Sequence, residues 1–335
     1  MKNLRKSMTV TVDFYNKGQK EYILCNLCGQ DRAVVLTYKS VNDLRSPAVM
    51  CKNCGLIYLN PRLTREGYNH YYNEFYRVDR ATIKQGTEDI NSLFESSYRF
   101  GQALAHELSA FIKPGPMLDV GSSTGGVLRA MNESVPGVEP LGVEPSLDEV
   151  EFARQHGIAT EHALFENWIE MPEGGGKFQT IMCLQTLNHL LDPRKFFMWS
   201  YEHLREGGMI VLSVKDWRFQ VRRAGSLSAG VQIDHPYMFT PETLKRFLES
   251  VGFTIVHLDV DEGKSSRQLE FQRERGLNRH HIRIVGQKTV GVNVSPRSYG
   301  PRLYSRLRLA LHPLSVKLWH LVWYSKRLRF APWRR

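Results

Sequence analysis

Between residues 115 and 216 short apolar runs alternate with segments of helical period, and this alternation constrains the fold more than any other feature of the chain. "PMLDVG" leads into the helical "GGVLRAMNES", "PLGVEPS" into "SLDEVEFARQHG", and "KFQTIMCLQ" into "DPRKFFMWSYEHLREGG", before a fourth run, "MIVLSVKD". Apolar runs joined by amphipathic helices make parallel strands with crossover connections, so the pattern predicts a doubly wound α/β sheet. A helix is expected ahead of it, from about Glu88 to Lys113, where "KPGP" stops it. Downstream, "TPETLKRFLESVG" puts Thr240 at an N-cap and Pro241 in the first helical position. Two strand runs follow, "FTIVHLDVDE" and "HHIRIVGQK", and read as a helix-free antiparallel pair at one edge of the sheet.

The turn after the first of these strands, "LDVGSSTGG", has the glycine spacing of a dinucleotide fingerprint, with Gly121 and Gly126 in place and Ser123 at the middle position. Alone it is a weak fingerprint. It lacks the lysine of a phosphate-binding loop, and Asp119 at the strand end would set a carboxylate beside the ligand, which disfavours a pyrophosphate and suits a cation. Glu144, at the end of the next strand, is placed to take ribose hydroxyls.

Four of the five cysteines form two pairs, "CNLCG" (Cys25, Cys28) and "CKNCG" (Cys51, Cys54). Two C-x2-C knuckles, each followed by glycine, make a tetrahedral thiolate site of the zinc-ribbon kind. Disulfides are the alternative, disfavoured in a cytoplasmic protein. Four protein ligands leave no open coordination position, so the expected zinc is structural. Cys183, inside "FQTIMCLQ", reads as a core residue.

The chain of 335 residues carries a net charge of +11, but the charge is not spread evenly. From Arg275 to the end there are fourteen Lys and Arg and no Asp or Glu, so everything before is slightly acidic. That argues against a nucleic-acid-binding body. The tail "RLRLALHPLSVKLWHLVWYSKRLRFAPWRR" interleaves Leu and Trp with bases, as an interfacial helix on an anionic membrane surface does; a helix packed on the body or a disordered end are the alternatives. With no apolar run of signal-peptide or membrane-spanning length, the expected location is cytoplasmic, with the tail at the inner face of the membrane.

Taken in order, "CNLCG", "CKNCGLIYLNPR", "LDVGSSTGG", "LGVEPS", "FQTIMCLQTLNHLLDPRKFF", "LREGGMIVLSV" and "DHPYMFTPETLKRFLESVGF" resemble the class I S-adenosylmethionine-dependent methyltransferases that carry an N-terminal zinc-ribbon-like segment, from about Glu21 to Lys288. Such enzymes are common in bacterial glycan and small-molecule modification. The resemblance implies a Rossmann-like sheet whose first loop wraps the amino-acid part of the cofactor. Asp119 would lie near its positive end, Gly121, Ser123 and Gly125 would form the close approach, Glu144 would accept from both ribose hydroxyls, and Gln185 would line the cofactor. Ser123 replaces a usual glycine, at a cost of about 1 kcal/mol if its φ is positive. The ribbon would cover the cofactor cleft as a lid.

Ubiquinone O-methyltransferases look similar at "QTLNHL" but have E-x-x-E-H there, whose side chains hold a divalent metal. This chain has Gln185, Asn188 and His189 instead, and one imidazole with two amides is a poor site for a hard cation, so no catalytic metal is expected. Methyl transfer to oxygen then needs alignment and a base, for which His189 and His235 are the candidates. Backbone or loop-anchoring bonds are the structural alternatives for both. In "WRFQVRRAGSLSAGVQ", Arg218, Arg222 and Arg223 are candidates to bind a phosphate or carboxylate on the acceptor.

The expected organisation is a zinc-ribbon-like module over 1–76, a class I methyltransferase domain over 77–290 and a basic amphipathic tail over 291–335. The leading function is O-methylation of a sugar in a glycan, glycolipid or nucleotide-linked precursor. An RNA base methyltransferase, a sugar C-methyltransferase and a non-catalytic cofactor-binding scaffold are the alternatives.

Overall fold

A computed structural model describes residues 14–41, 45–75, 89–170 and 177–289. The basic tail expected over 291–335 lies outside them. In chain order the strands are β1 (Lys20–Glu21), β2 (Ala33–Thr37), β3 (Ala48–Cys51), β4 (Ile57–Leu59), β5 (Arg62–Leu63), β6 (Gly115–Val120) and β7 (Val138–Glu144). There follow β8 (Thr160–His162), β9 (Phe178–Leu184), β10 (Leu204–Lys215), β11 (Tyr237–Met238), β12 (Phe253–Asp259) and β13 (His281–Lys288). The α-helices are α1 (Arg65–Glu74), α2 (Ile90–Glu107), α3 (Gly126–Ser134), α4 (Leu147–Gln155), α5 (Phe165–Trp168), α6 (Pro193–His203), α7 (Trp217–Ala224), α8 (Pro241–Val251) and α9 (Ser266–Glu274). The chain divides into two units.

The larger unit takes the described residues from 89 to Asp216 and from Leu244 onward. Its seven strands run in the order β12-β13-β10-β9-β6-β7-β8. β10, β9, β6, β7 and β8 pair in parallel, while β13 is antiparallel to both β10 and β12. The chain order reverses between β6 and β9, which opens a crevice at their carboxyl ends. One apolar core joins Leu104 and Leu108 near the end of α2, Leu128 and Met131 of α3, and Met117, Met182, Val211 and Val285 from four neighbouring strands. Burying Leu128 or Met131 completely contributes about 1.5 to 3 kcal/mol each. That is what seats α3, and with it the loop before it.

Two expectations need correction. The helix ahead of β6 runs over Ile90–Glu107 rather than to Lys113, with the Asp89 carboxylate capping it by accepting from Ser92 N–H at 3.3 Å. The edge pair β12–β13 is antiparallel as expected but not helix-free: α9 lies between the two strands, started by a capping box in which Ser265 and Gln268 satisfy each other's backbone N–H. At this edge Arg283, almost wholly buried, bonds Asp259 and reaches Glu107 at 3.1 Å, so its charge is compensated on both sides.

The smaller unit takes the described residues up to Phe75 together with Trp217–Thr243. Four strands in the order β11-β4-β3-β2 form its sheet. The segment Trp217–Thr243, expected inside the methyltransferase domain, belongs here because Tyr237 and Met238 pair antiparallel with Tyr58 and Ile57 and extend that sheet. Trp217 is buried with Ile57, Leu59, Val221, Val231 and Met238, and its indole N–H donates to Gly230 O at 3.1 Å.

Candidate functional site

β6 ends at Val120, and residues 121–125 turn the chain into α3 at the crevice. Gly121 has φ +77°, its N–H donates to Val143 O at 2.8 Å, and a Cβ there would lie 2.2 Å from Thr186 Oγ1, so no other residue fits. Gly125, φ +78°, is the N-cap of α3. Between them Ser123 takes φ +52°, a left-handed conformation that costs a non-glycine residue on the order of 1 kcal/mol. The serine does not break the loop. Its N–H donates to Glu144 Oε2 at 2.9 Å and its hydroxyl donates to Glu149 Oε2 at 2.6 Å. Glu144 Oε1 accepts from Ser146 N–H, also at 2.9 Å. The ribose candidate at the end of β7 is thus clamped from two loops, each of its oxygens keeping one lone-pair direction for a ligand.

The electrostatics of the loop are one-sided. Asp119 is buried, its Oδ1 has no hydrogen-bond partner among the described residues, and burial pushes its carboxyl up to about 7. Burial, followed by the charge of Glu149, pushes Glu144 up to about 8, although the N–H bonds from Ser146 and Ser123 oppose that rise. No lysine or arginine forms an ion pair with Asp119, Glu144 or Glu149 among the described residues. A buried acceptor with no partner and three convergent acids fit a ligand that brings positive charge and a pair of hydroxyls, as the adenosyl cofactor of the methyltransferases does.

The adjacent end of β9 carries the other cofactor candidate. Gln185 is held at φ +61° with its N–H donating to Ser213 O at 2.6 Å. The turn after it half-buries His189, whose N–H donates to Thr186 O at 2.8 Å, and buries Asn188 with Oδ1 unpartnered. Cys183 is wholly buried and burial pushes its thiol far up, which makes it a core residue as expected. Sequence reasoning did not single out Thr186, Glu149 or Glu166. Glu166, buried on α5, accepts from Leu191 N–H at 3.0 Å and so pins the turn that carries His189.

His235 lies in the smaller unit, buried, with its Nε2 3.8 Å from Asp234 Oδ2. Arg218 and Arg222 of α7 are in that unit too. Arg218 stands 3.7 Å from Glu242 and Arg222 lies over the Phe219 ring at 5.1 Å. The side chain of Arg223 lies outside the described residues.

In the same unit the four knuckle cysteines converge. Cys25 Sγ is 3.4 Å from Cys54 Sγ, Cys28 Sγ is 3.5 Å from Cys51 Sγ, and all four sulfurs lie within 4.8 Å of one another with no disulfide between them. Tetrahedral zinc with bonds of about 2.3 Å sets its sulfurs about 3.8 Å apart, so this donor set fits the ion. Gly29 (φ +70°) and Gly55 (φ +80°) close the two knuckles by donating N–H to Cys25 O and Cys51 O at 2.7 and 3.0 Å.

Residues 95–258 match the family described as "Methyltransferase domain". A curated relative, the O-methyltransferase cnsE of Penicillium expansum, is 24% identical over 177 residues, covering 50% of this chain and 64% of its own length. Among solved structures, a SAM-dependent methyltransferase of Archaeoglobus fulgidus is 20% identical, with 60% of this chain and 100% of that one covered at a TM-score of 0.45. The S-adenosylmethionine-dependent methyltransferase of Mesorhizobium loti is 18% identical, covering 55% and 97% at a TM-score of 0.43. Strand order and switch-point loop agree with the family match: residues 95–258 match a methyltransferase domain and resemble that of the class I S-adenosylmethionine-dependent enzymes.

Proposed function

We propose that the protein transfers a methyl group from S-adenosylmethionine to an oxygen acceptor, with a sugar hydroxyl in a glycan, glycolipid or nucleotide-linked precursor as the substrate. The observation that carries the cofactor reading is the crevice loop, where Asp119 has an unpartnered buried oxygen and Glu144 is clamped by two backbone N–H groups. When bound, the cofactor supplies a methyl group on a sulfonium that leaves as a neutral thioether. In this reading Asp119 compensates the positive end of the ligand and Glu144 takes the ribose hydroxyls, while Gly121 and Gly125 let the backbone come close. Gln185 would line the cofactor from the end of β9. The name of the Penicillium relative supports oxygen as the acceptor atom.

No metal enters the proposed chemistry, because Gln185 and Asn188 are neutral amides where the metal-holding pattern has carboxylates. The acceptor proton goes to His189 or to His235, an imidazole in either case. The four cysteines hold structural zinc, and Arg218 and Arg222 serve a phosphate or carboxylate on the acceptor. The basic tail would bring the enzyme to an anionic membrane surface. The test is incubation with methyl-labelled cofactor and a panel of nucleotide-linked sugars, glycolipids, keto sugars and RNA. Label on a sugar oxygen supports the proposal, whereas label on carbon or on a nucleobase refutes it. His189→Asn and His235→Asn then identify the base by the larger loss of kcat.

A further inference from the structure

Ser123 is bonded to two different acids at once. Its N–H holds Glu144 of β7, its hydroxyl holds Glu149 in the first turn of α4, and both bonds end on an Oε2. The two carboxylates are therefore held side by side at the mouth of the loop. The groups that face Glu144 are Glu149 from α4, Asp119 from β6 and, at its register position on β8, His162, whose Nε2 is 3.0 Å from Pro145 O. Asp148 precedes Glu149 in the same helical turn, and the first turn of α3 carries no acid.

We propose that Ser123 and Glu149 are positioning residues for the cofactor's ribose: the serine hydroxyl holds Glu149 against Glu144, and the second carboxylate governs the charge on the first. The inference rests on the cofactor reading above. Each oxygen of Glu144 already accepts one backbone N–H and has one direction left, so it can take both hydroxyls of a vicinal diol only when ionised. Burial and the charge of Glu149 hold its carboxyl up at about 8, so near neutral pH the ligand-free loop keeps a proton there. Ribose binding expels that proton, and affinity rises with pH until Glu144 is ionised in the free protein. Glu149 thus acts against affinity near neutrality and makes binding depend on pH. Removing its charge lets Glu144 ionise sooner and carries tight binding down to lower pH.

The test is calorimetric titration of the full chain with S-adenosylhomocysteine from about pH 6 to about pH 9, for the natural protein, Glu149→Gln, Ser123→Ala and Glu144→Gln. The expected result is an affinity that rises with pH, displaced in Glu149→Gln by about half a unit or more toward lower pH, which is about threefold tighter binding near pH 7. Ser123→Ala, which frees Glu149 to turn to solvent, shifts the curve in the same direction by less. Glu144→Gln loses the component that Glu149→Gln displaces and keeps only the part that Asp119, raised to about 7, contributes through its own ionisation. Repeating the titration in buffers of different ionisation enthalpy measures the released proton directly. If Glu149→Gln leaves the curve in place, or weakens binding at every pH, the inference is overturned while the cofactor reading stands. If Glu144→Gln binds like the natural protein, the cofactor reading fails, and the inference with it.

Discussion

The cysteine knuckles and the crevice loop solve one problem in two ways. Both are tight turns with left-handed residues that gather groups of like charge: four thiols within 4.8 Å in one, and Asp119, Glu144 and Glu149 around one loop in the other. The knuckles place glycine at each left-handed closing position and offer a closed set of ligands, so that in the proposed zinc site a resident cation would neutralise the thiolates and become part of the fold. The loop has serine at the middle one of its three left-handed positions, no lysine or arginine paired with its acids among the described residues, and an orphaned carboxylate oxygen. Its neutralising charge has to arrive with the ligand or as a proton. A module held together by its cation should lose its structure without it, whereas a loop that waits for its cation should be destabilised by its own acids.

The largest effect is therefore expected at the knuckles. Cys54→Ser or Cys25→Ser should lower bound zinc from one per chain to below detection by metal analysis, with loss of a binding free energy on the order of 10 kcal/mol. Stoichiometric zinc after replacement of all four thiols would break the comparison at once. The loop should behave oppositely, gaining stability when an acid is removed. Asp119 is raised from 3.8 to about 7 by burial, so its favourable contribution is complete below about pH 4 and lost as the pH rises through about 7. Asp119→Asn should then raise the melting temperature of the ligand-free protein at pH 8 and not at pH 4. The full shift is worth about 4 kcal/mol, from which the desolvation of the amide subtracts. An equal or lower melting temperature at pH 8 would mean that the carboxyl carries no electrostatic cost in the free protein.

Removing these acids trades stability for binding, which sharpens the comparison further. Asp119→Ala and Glu144→Ala should each weaken S-adenosylmethionine binding by about 1.5 to 3 kcal/mol, roughly ten- to more than a hundredfold, because each removes a charge-assisted contact. Titration calorimetry at pH 8 reads this directly. Unchanged affinity in both variants would leave the three acids without a cationic ligand to explain them.

Much of this contrast was legible before any coordinates. Period and cysteine spacing located the sheet and the knuckles, and "LDVGSS" with Glu144 located the crevice, because these are local patterns with local causes. What escaped depended on contacts between segments distant in sequence. The Ser123–Glu149 bond spans twenty-six residues and follows from where α4 docks. The membership of Trp217–Thr243 in the smaller unit follows from two residues of strand pairing that no periodicity of two can announce. The helix α9 is a different case. "SSRQLEFQRE" contains the serine and glutamine of a capping box, so the signal was local and passed over because two strand runs on either side read as a hairpin.

The smallest effect concerns Ser123 itself. Three terms meet there: a left-handed strain of about 1 kcal/mol, a hydroxyl bond to a charged acceptor worth about 1.5 kcal/mol when well formed, and the larger unfolded-state entropy of glycine, about 0.5 to 1 kcal/mol. Alanine keeps the strain and loses the bond. Glycine also loses the bond but relieves the strain, offset by its entropy. The melting temperatures of the ligand-free proteins should then fall in the order serine, glycine, alanine, with about 1 to 1.5 kcal/mol between serine and glycine and about 0.5 kcal/mol or less between glycine and alanine. A glycine variant more stable than the natural protein would show that the bond to Glu149 is weaker than the strain it accompanies. The loop would then hold serine at a net cost, and the only return left for that cost would be its effect on Glu144. An alanine variant equal to serine would remove the bond from the account altogether and leave the two carboxylates near each other without a tether.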